Sequence, residues 1–308
     1  MPVEVVVAML AIAVSRSTPL VLGALSGVMC ERSGIVNIAI EGMMLAGAFA
    51  GFFVGIYTRS LLWALLAAVA VGMLLSALHA VLSIRFRVDQ IISGTVINIL
   101  AVGTTGFLNR ALFSTGAPPG QAVLPNVRVP GLADLPLVGR VLFDQKPITY
   151  AAVLLVVLVH VVLFRTAWGL RVRAVGEHPL AADTVGIDVY RTRYLSVLVG
   201  GALAGLGGAY LANVGAGLFI PFISNGAGFL GIVLAMLARG RPVWVLFGAL
   251  LFGVCLSLTT AMQVAGINIP TDVIQMLPFL AVMIMLVLFG RRASLPAALG
   301  IPYERGTR

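Results

Sequence analysis

Polar side chains interrupt the apolar runs of this sequence in three short segments, which hold the residues with the most capacity for chemistry. The first segment, residues 31–42, carries two acids, a base and an amide: Glu31, Arg32, Asn37 and Glu41. Ionisable groups at membrane depth are costly, so they normally face water or the protein interior. Ser33-Gly34 would break a helix and let backbone groups face a cavity. The segment is predicted to line a route for a polar solute; the alternative is an ordinary turn with a Glu31–Arg32 surface pair.

The second segment, residues 220–229, reads as a broken apolar helix. Pro221 and the run Ser224-Asn225-Gly226 interrupt otherwise apolar sequence. Transporters place binding groups on discontinuous helices near the middle of the membrane, although a re-entrant structural turn would have the same composition. Asn98, inside another apolar run, adds a further amide. The candidate residues for a solute route are therefore Glu31, Asn37, Glu41, Asn98, Ser224 and Asn225.

The third segment, residues 165–193, carries five arginines and three acids. Pro179 stands at a plausible helix start and Gly186 at its stop. The short helix between them has small residues at Ala181 and Ala182. A short helix flanked by arginines is predicted to dock a partner protein; an interfacial helix lying on anionic lipid is the alternative.

The sequence lacks the residue patterns of a metal site, a phosphate-binding loop and an intramembrane enzyme. The three histidines lack metal-ligand spacing, so no metal site is predicted, and His79 and His160 read as packed core residues. No phosphate-binding G-x-x-x-x-G-K-[ST] loop exists, and Lys146 is the only lysine. We find no nucleophile–base constellation of an intramembrane enzyme. No catalytic residue is therefore assigned.

Composition explains why buried polar groups matter here. Of the 308 residues, 60% are hydrophobic and 10% are charged, whereas soluble domains carry about 25% charged residues. The net charge of +9 does not indicate nucleic-acid binding, because the arginines stand singly or in pairs between apolar runs. The sequence predicts an all-α, polytopic membrane protein.

The apolar runs predict about nine membrane-spanning helices, with eight or ten remaining open. The runs cover residues 5–30, 43–57, 61–84, 91–113, 148–164, 194–214, 226–238, 243–262 and 273–289. Placing the loops after runs one, three, five and seven, with the C-terminal tail, in the cytoplasm puts 14 cations there and 6 outside. This split follows the positive-inside rule and places the N-terminus outside.

An internal sequence repeat predicts that the chain consists of two halves. Trp63, Gly72 and Ser76 recur at an offset of 181 as Trp244, Gly253 and Ser257, and Ala80 and Asp89 have similar counterparts. Residues 1–113 and 194–290 would be inverted repeats joined by a linking span, a layout found in transporters. The remaining divisions are an outer loop (114–147), the linking span (148–165), a cytoplasmic loop (166–193) and a tail (291–308).

Two stretches resemble a known family. Residues 26–49, with Glu31-Arg32-Ser33-Gly34-Ile35-Val36-Asn37-Ile38 and Glu41-Gly42-Met43-Met44, are similar to the first signature of ABC-importer permeases of the branched-chain amino acid, simple sugar and nucleoside superfamily. The sequence of this stretch is most similar to that of the shorter permease of nucleoside importers. Residues 169–187 resemble the ATPase-coupling loop of that group. The chain departs from import permeases at Leu180, where a glutamate is usual, and at His178, where an asparagine is expected.

The resemblance implies a permease subunit in a bacterial inner membrane that takes up nucleosides. It implies a second permease, a cytoplasmic ATPase and a lipid-anchored or periplasmic substrate-binding protein as partners. The partner ATPase would bind ATP, and this chain would need no cofactor. The coupling residues would be Arg171, Arg173, Gly176, Glu177, His178, Pro179, Ala181, Ala182, Asp183, Gly186 and Ile187.

Two alternatives stay open at this point. The same machinery could import a simple sugar such as a pentose, because the candidate route carries few charges and several neutral polar groups. A secondary transporter would instead need paired buried carboxylates or cations within its spans. Only Glu31, Glu41 and Asp272 are available for such a role.

Overall fold

The computed structural model describes residues 3–113, 124–136, 138–264, 276–289 and 295–305. The helices in this part of the chain are α1 (Val3–Arg32), α2 (Ile40–Thr58), α3 (Leu61–Ala80), α4 (Gln90–Leu112), α5 (Val138–Leu142), α6 (Pro147–Arg165), α7 (Ala167–Glu177), α8 (Pro179–Thr184), α9 (Val189–Ala209), α10 (Ala227–Leu237), α11 (Pro242–Val264) and α12 (Leu277–Phe289). Short π-helical turns extend α3 over Val81–Arg85 and α9 over Tyr210–Ala216.

Six helical segments are long and apolar enough to cross a membrane by length and composition: α1, α2, α3 and α9 with their π-helical extensions, α4 and α6. The three remaining predicted spans correspond to α10 and α12, which have 11 and 13 residues, and to α11, of which Pro242–Leu258 is a shorter apolar stretch. The chain is a predominantly helical, multi-pass membrane protein. Asp272, residues 273–275 and the arginines at 291 and 292 lie outside the described residues.

The outer loop contains more regular structure than its Pro- and Gly-rich sequence predicts. Its described residues include an antiparallel pair of two-residue strands, β1 (Val127–Arg128) and β2 (Asp144–Gln145). The five-residue helix α5 lies between them. Gln145 ties this region to the bundle by donating from its side chain to the carbonyl of Ala11.

Close helix contacts in the bundle depend on small residues. A Cβ at Gly72 of α3 would lie 2.3 Å from the carbonyl oxygen of Gly201 on α9. A Cβ at Gly208 would meet the backbone of Met44 on α2 in the same way. Small residues let helix backbones approach closely in membranes, where van der Waals contact drives association. These glycines therefore bring α2, α3 and α9 together around the segments described below.

The segments predicted to share the cytoplasmic side lie at one end of the bundle. Arg32, at the end of α1, donates to the carbonyl oxygens of Arg239 and Gly240 in the α10–α11 turn. Arg87, after α3, pairs with Glu304 of the C-terminal tail at 2.9 Å. The side of the membrane on which this end lies stays a prediction.

Candidate functional site

The first break separates α1 from α2 over residues 33–39, which are buried or half-buried and interrupt the regular helical hydrogen bonding. Gly34 has a φ of +86°, which favours glycine. The amide of Val36 donates to Gln90 Oε1 at 2.7 Å, and the Val36 carbonyl lies 3.1 Å from His79 Nε2. Non-helical backbone at membrane depth must find such partners inside the protein. Side chains of α3 and α4 thus make this break possible.

Asn98 of α4 holds the end of the first break. Its Nδ2 donates to the carbonyl of Ile38 at 2.9 Å, and its Oδ1 accepts from the amide of Gly42 at 2.7 Å. Asn37 acts locally, since its Oδ1 accepts from the amide of Ala39. Both predicted route residues therefore use polar atoms to fix the turn into α2.

The second break precedes α10 over residues 217–226. Gly217, Phe222, Asn225 and Gly226 all have positive φ. Positive φ is strained for phenylalanine and asparagine, and such strain concentrates at functional sites. Ser224 is buried, whereas Asn225 is exposed. The predicted interruption at these residues is present, and it ends where α10 begins at Ala227.

Glu41 joins the two breaks. It lies in the first turn of α2 and is 9% exposed. Its Oε1 accepts from the amide of Gly226 at 2.9 Å, and its Oε2 accepts from the amide of Gly228 at 2.7 Å. A carboxylate at a helix N-terminus satisfies free amides and complements the helix dipole. Glu41, which follows the first break, thereby caps α10, which follows the second break.

The length of α10 sets the distance between this contact and the end of the bundle. The helix has 11 residues, which span about 16 Å, roughly half of a ~30 Å hydrocarbon core. Its C-terminal end is followed by the turn that Arg32 holds at the end of the bundle. Its N-terminus and Glu41 therefore lie about 16 Å along α10 from that turn.

Gly228 is required for this approach. A Cβ on Gly228 would lie 2.5 Å from the Glu41 Cα, so any larger residue would push α10 away from α2. The sequence analysis did not select Gly228, because a glycine in a glycine-rich run carries no specific signal. It also treated His79 only as a core residue and did not select Gln90.

Glu31 stands apart from the group around Glu41. It is 5% exposed in the last turn of α1, so the alternative of a Glu31–Arg32 surface pair is wrong. The guanidinium of Arg32 instead binds the α10–α11 turn and lies 5.7 Å from the ring centre of Phe164. The structure thus brings together Glu41, Asn98 and the second break, and leaves Glu31 at the end of its helix.

The predicted coupling loop forms two helices, α7 and α8. Pro179 is the first residue of α8, and Gly186 follows the helix with a φ of +83°, as the sequence predicts. The two alanines do not share one face, because Ala181 is exposed and Ala182 is buried. The large exposed apolar side chains on α8 and directly after it are Leu180 and Val185, at 50% and 75%. These two residues form the surface that a partner protein can reach, which we call the α8 face.

Other predicted coupling residues tie the loop to the bundle. Gly176 is buried, and a Cβ there would lie 2.3 Å from the carbonyl oxygen of Arg32. The guanidinium of Arg173 lies 5.1 Å from the ring centre of Phe164, whereas Arg171 and His178 are exposed. Ile187 donates its amide to the carbonyl of Ala182 at 3.0 Å. The loop is therefore attached directly to the end of α1.

The C-terminal tail, residues 295–305, crosses both the coupling loop and the first break. Its amides donate to Glu177 Oε2, to the carbonyl of Gly176 and to the carbonyl of Gly34. Arg305 pairs with Asp183 at 3.3 Å. Burial raises the pKa of the Tyr303 hydroxyl in this tail. The sequence analysis assigned the tail no contacts, because its short irregular sequence has no periodic pattern.

Comparison with known proteins agrees with this architecture. Residues 9–288 match the family described as branched-chain amino acid transport system / permease component. The guanosine ABC transporter permease NupQ of Bacillus subtilis is 38% identical over 95% of each chain. The nucleoside ABC transporter permease NupC of Lactococcus lactis is 36% identical over 93% of each chain.

A third relative is the putative glucose ABC transporter permease TsgC13 of Haloferax volcanii, which is 39% identical over 78% of this chain and 73% of its own. No solved structure matches the chain. The family match covers nearly all of the sequence, including both breaks and the coupling loop. The chain belongs to the permease family described as branched-chain amino acid transport system / permease component.

Proposed function

We propose that this chain is the permease subunit of an ATP-driven importer and forms, with a second permease, a membrane route for nucleosides. The observation that carries the solute class is the pair of relatives named for guanosine and nucleoside transport, which align over more than nine-tenths of this chain. The relative named for glucose aligns over 78%, so the sugar alternative has less support.

The proposed layout has nine crossings in two inverted halves. Helices α10, α11 and α12 would add three crossings to the six segments that are long and apolar enough to cross a membrane. Ser76 Oγ donates to the carbonyl of Met73 and Ser257 Oγ to that of Val254, both at 2.9 Å. Trp63 and Trp244 are 58% and 59% exposed. Residues related by the offset of 181 thus have matching surroundings.

Helix contacts give the repeat further support. Gly72 of α3 meets Gly201 and Gly205 on α9, the first helix of the second half. Gly253 of α11, its counterpart, meets Ala13 and Ser17 on α1, the first helix of the first half. An inverted repeat exchanges its two halves, so each third helix should contact the first helix of the other half.

The solute route is proposed to pass the contact between the two breaks. Each break follows the first helix of its half, and interrupted helices in corresponding positions mark the binding region of repeat transporters. Exposed Asn225 offers an amide to a hydroxylated, uncharged solute, and buried Ser224 lies beside it. Glu41 and Asn98 hold the backbone on which that surface depends.

The coupling step is proposed to act through the α8 face. A partner ATPase would bind ATP and press on Leu180 and Val185, and α7 would carry the motion to the end of α1 through Gly176. This chain contributes no ATP site under the proposal, which agrees with the absence of a phosphate-binding loop in its sequence. A substrate-binding protein on the opposite side would deliver the nucleoside.

Uptake measurements test the proposal directly. The chain should be purified with its partner permease and ATPase, reconstituted in proteoliposomes with the binding protein, and supplied with labelled guanosine, uridine or ribose. We expect ATP-dependent accumulation of a nucleoside that is lost when this chain is omitted. Accumulation of ribose alone would favour the sugar importer, and accumulation without any ATPase would refute the importer.

A further inference from the structure

A groove between α10 and α11 opens at the end of the bundle that carries the α10–α11 turn and the predicted coupling loop, which we call the coupling end. It lies away from the contact between the two breaks. Its volume is 480 Å³, within the ~300–1,000 Å³ typical of ligand clefts. Leu234 lines it from α10, and Trp244, Phe247 and Leu251 line it from α11. The α11 residues are spaced three and four apart and so share one face of that helix. The wall of the groove is mainly apolar.

Two arginines stand at the mouth of the groove. Arg239 and Arg241 both line it, and neither forms an ion pair with another described residue. Arg32 fixes the backbone of this turn by donating to the carbonyls of Arg239 and Gly240. Guanidinium groups bind phosphate through paired, charge-assisted hydrogen bonds. The mouth therefore favours a phosphate group.

The length of the groove matches one leaflet of a bilayer. From Arg241 to Leu251, α11 rises about 15 Å, half of a ~30 Å hydrocarbon core. Trp244 is 59% exposed near the charged turn, a position typical of tryptophan at a membrane interface. A ligand that fits has a charged end at the membrane surface and an apolar chain that reaches towards the bilayer centre.

We propose that this groove binds an anionic phospholipid of the leaflet at the coupling end. Its phosphate would lie on Arg239 and Arg241, and one acyl chain would lie along Phe247 and Leu251. Basic pockets between helices on the cytoplasmic side bind anionic headgroups in this way. A protein segment would have to bring acidic groups into the same apolar depth, which makes lipid the better complement to this charge pattern.

Photolabelling of the assembled transporter in nanodiscs tests the proposal. The probe is phosphatidylglycerol with a diazirine on its acyl chain, and mass spectrometry locates its adducts. Adducts on residues 234–251 report the groove, and adducts on the exposed α6 residues Leu154 and Leu158 report bulk lipid. Unlabelled phosphatidylglycerol, phosphatidylcholine and inorganic phosphate serve as separate competitors.

We expect phosphatidylglycerol to compete for the groove roughly tenfold better than phosphatidylcholine, and inorganic phosphate not to compete. Arg239→Gln with Arg241→Gln should abolish the preference. Arg85→Gln with Arg165→Gln, which removes the same charge from exposed positions at this end, should retain it.

A second variant tests the apolar part of the groove. A Cβ at Gly248 would lie 2.8 Å from the flexible end of Leu234, so Gly248→Leu should fill the space and lower groove labelling while α6 labelling stays constant. Equal competition by the two lipids, a preference that survives loss of both mouth arginines, or displacement by inorganic phosphate would overturn the proposal. So would an unlabelled groove beside normally labelled α6, since a partner chain would then cover it.

Discussion

Replacing Glu41 by glutamine should separate the two breaks while leaving the rest of the bundle in place. Glu41→Gln removes the charge and one acceptor oxygen but keeps the size of the side chain. One of the two amides, from Gly226 or Gly228, then loses its carboxylate partner. The neutral amide also interacts less favourably with the positive end of α10.

The magnitude follows from these contacts. A hydrogen bond to a charged group contributes about 1.5–3 kcal/mol, and a buried amide left unpaired costs about 1–3 kcal/mol. The helix-terminus interaction adds about 0.3–1 kcal/mol. The lost hydrogen bond and the unpaired amide describe the same loss and are counted once, so with the helix-terminus interaction the cost of Glu41→Gln is about 2–4 kcal/mol. A change of that size lowers the population of the conformation in which Glu41 caps α10 at least tenfold.

Two measurements report the change. Hydrogen-exchange mass spectrometry of a peptide covering the start of α10 should show faster exchange at Gly226 and Gly228 in Glu41→Gln. ATP-driven nucleoside uptake in proteoliposomes should fall at least tenfold. Glu4→Gln makes the same charge change at an exposed site, and Glu31→Gln makes it at a buried site outside the contact. Both controls should leave exchange at α10 unchanged.

Unaltered exchange and uptake in Glu41→Gln would refute the reasoning, because the two bonds would then contribute nothing to the arrangement. An equal exchange effect in Glu31→Gln would also refute it, since the cause would be general destabilisation. Glu41→Asp keeps the negative charge but shortens the side chain, so it tests the two properties separately. Its carboxylate is one methylene shorter, so we expect uptake between that of the wild type and that of Glu41→Gln.

Three further substitutions test other parts of the structure. Asn98→Ala should cost about 2–4 kcal/mol, because the Gly42 amide and the Ile38 carbonyl lose their partner; a lower Tm of the purified complex checks this, and an unchanged Tm contradicts it. Gly72→Leu should prevent α3 from approaching α9 and lower the yield of folded protein, whereas Gly106→Leu, at a glycine with open space, should not. Leu180→Asp should leave membrane insertion intact but abolish transport-coupled ATPase activity. If coupling is retained, the α8 face is excluded as the contact through which the ATPase acts.

Hydropathy predicts most of the helices because a spanning segment needs a fixed length of apolar residues. The described helices begin and end within a few residues of the predicted runs, and both breaks lie where glycine, proline and polar residues interrupt them. The short helix α8 begins at Pro179 as its sequence indicates. These features depend on neighbours along the chain, which a single sequence contains.

The partners of the polar residues depend on distant parts of the chain and could not be predicted. Glu41 looks like one of several acids near a span end, yet its partners are 185 and 187 residues away. Asn98 was expected to face a solute and instead holds backbone. Ala181 and Ala182 look alike in sequence, but the neighbouring elements bury one and leave the other exposed.

The contact at Glu41 also constrains how α2 and α10 can move relative to each other. A change from 1:99 to 99:1 between two conformations needs about 5.5 kcal/mol. Breaking both charge-assisted bonds would cost about 3–6 kcal/mol, which is comparable to that whole change. Alternating access must therefore either carry both breaks as one unit or replace the Glu41 bonds in the second conformation. A disulfide across α2 and α10 distinguishes the two: if it blocks uptake while ATP hydrolysis continues, α2 and α10 separate at this contact during each cycle.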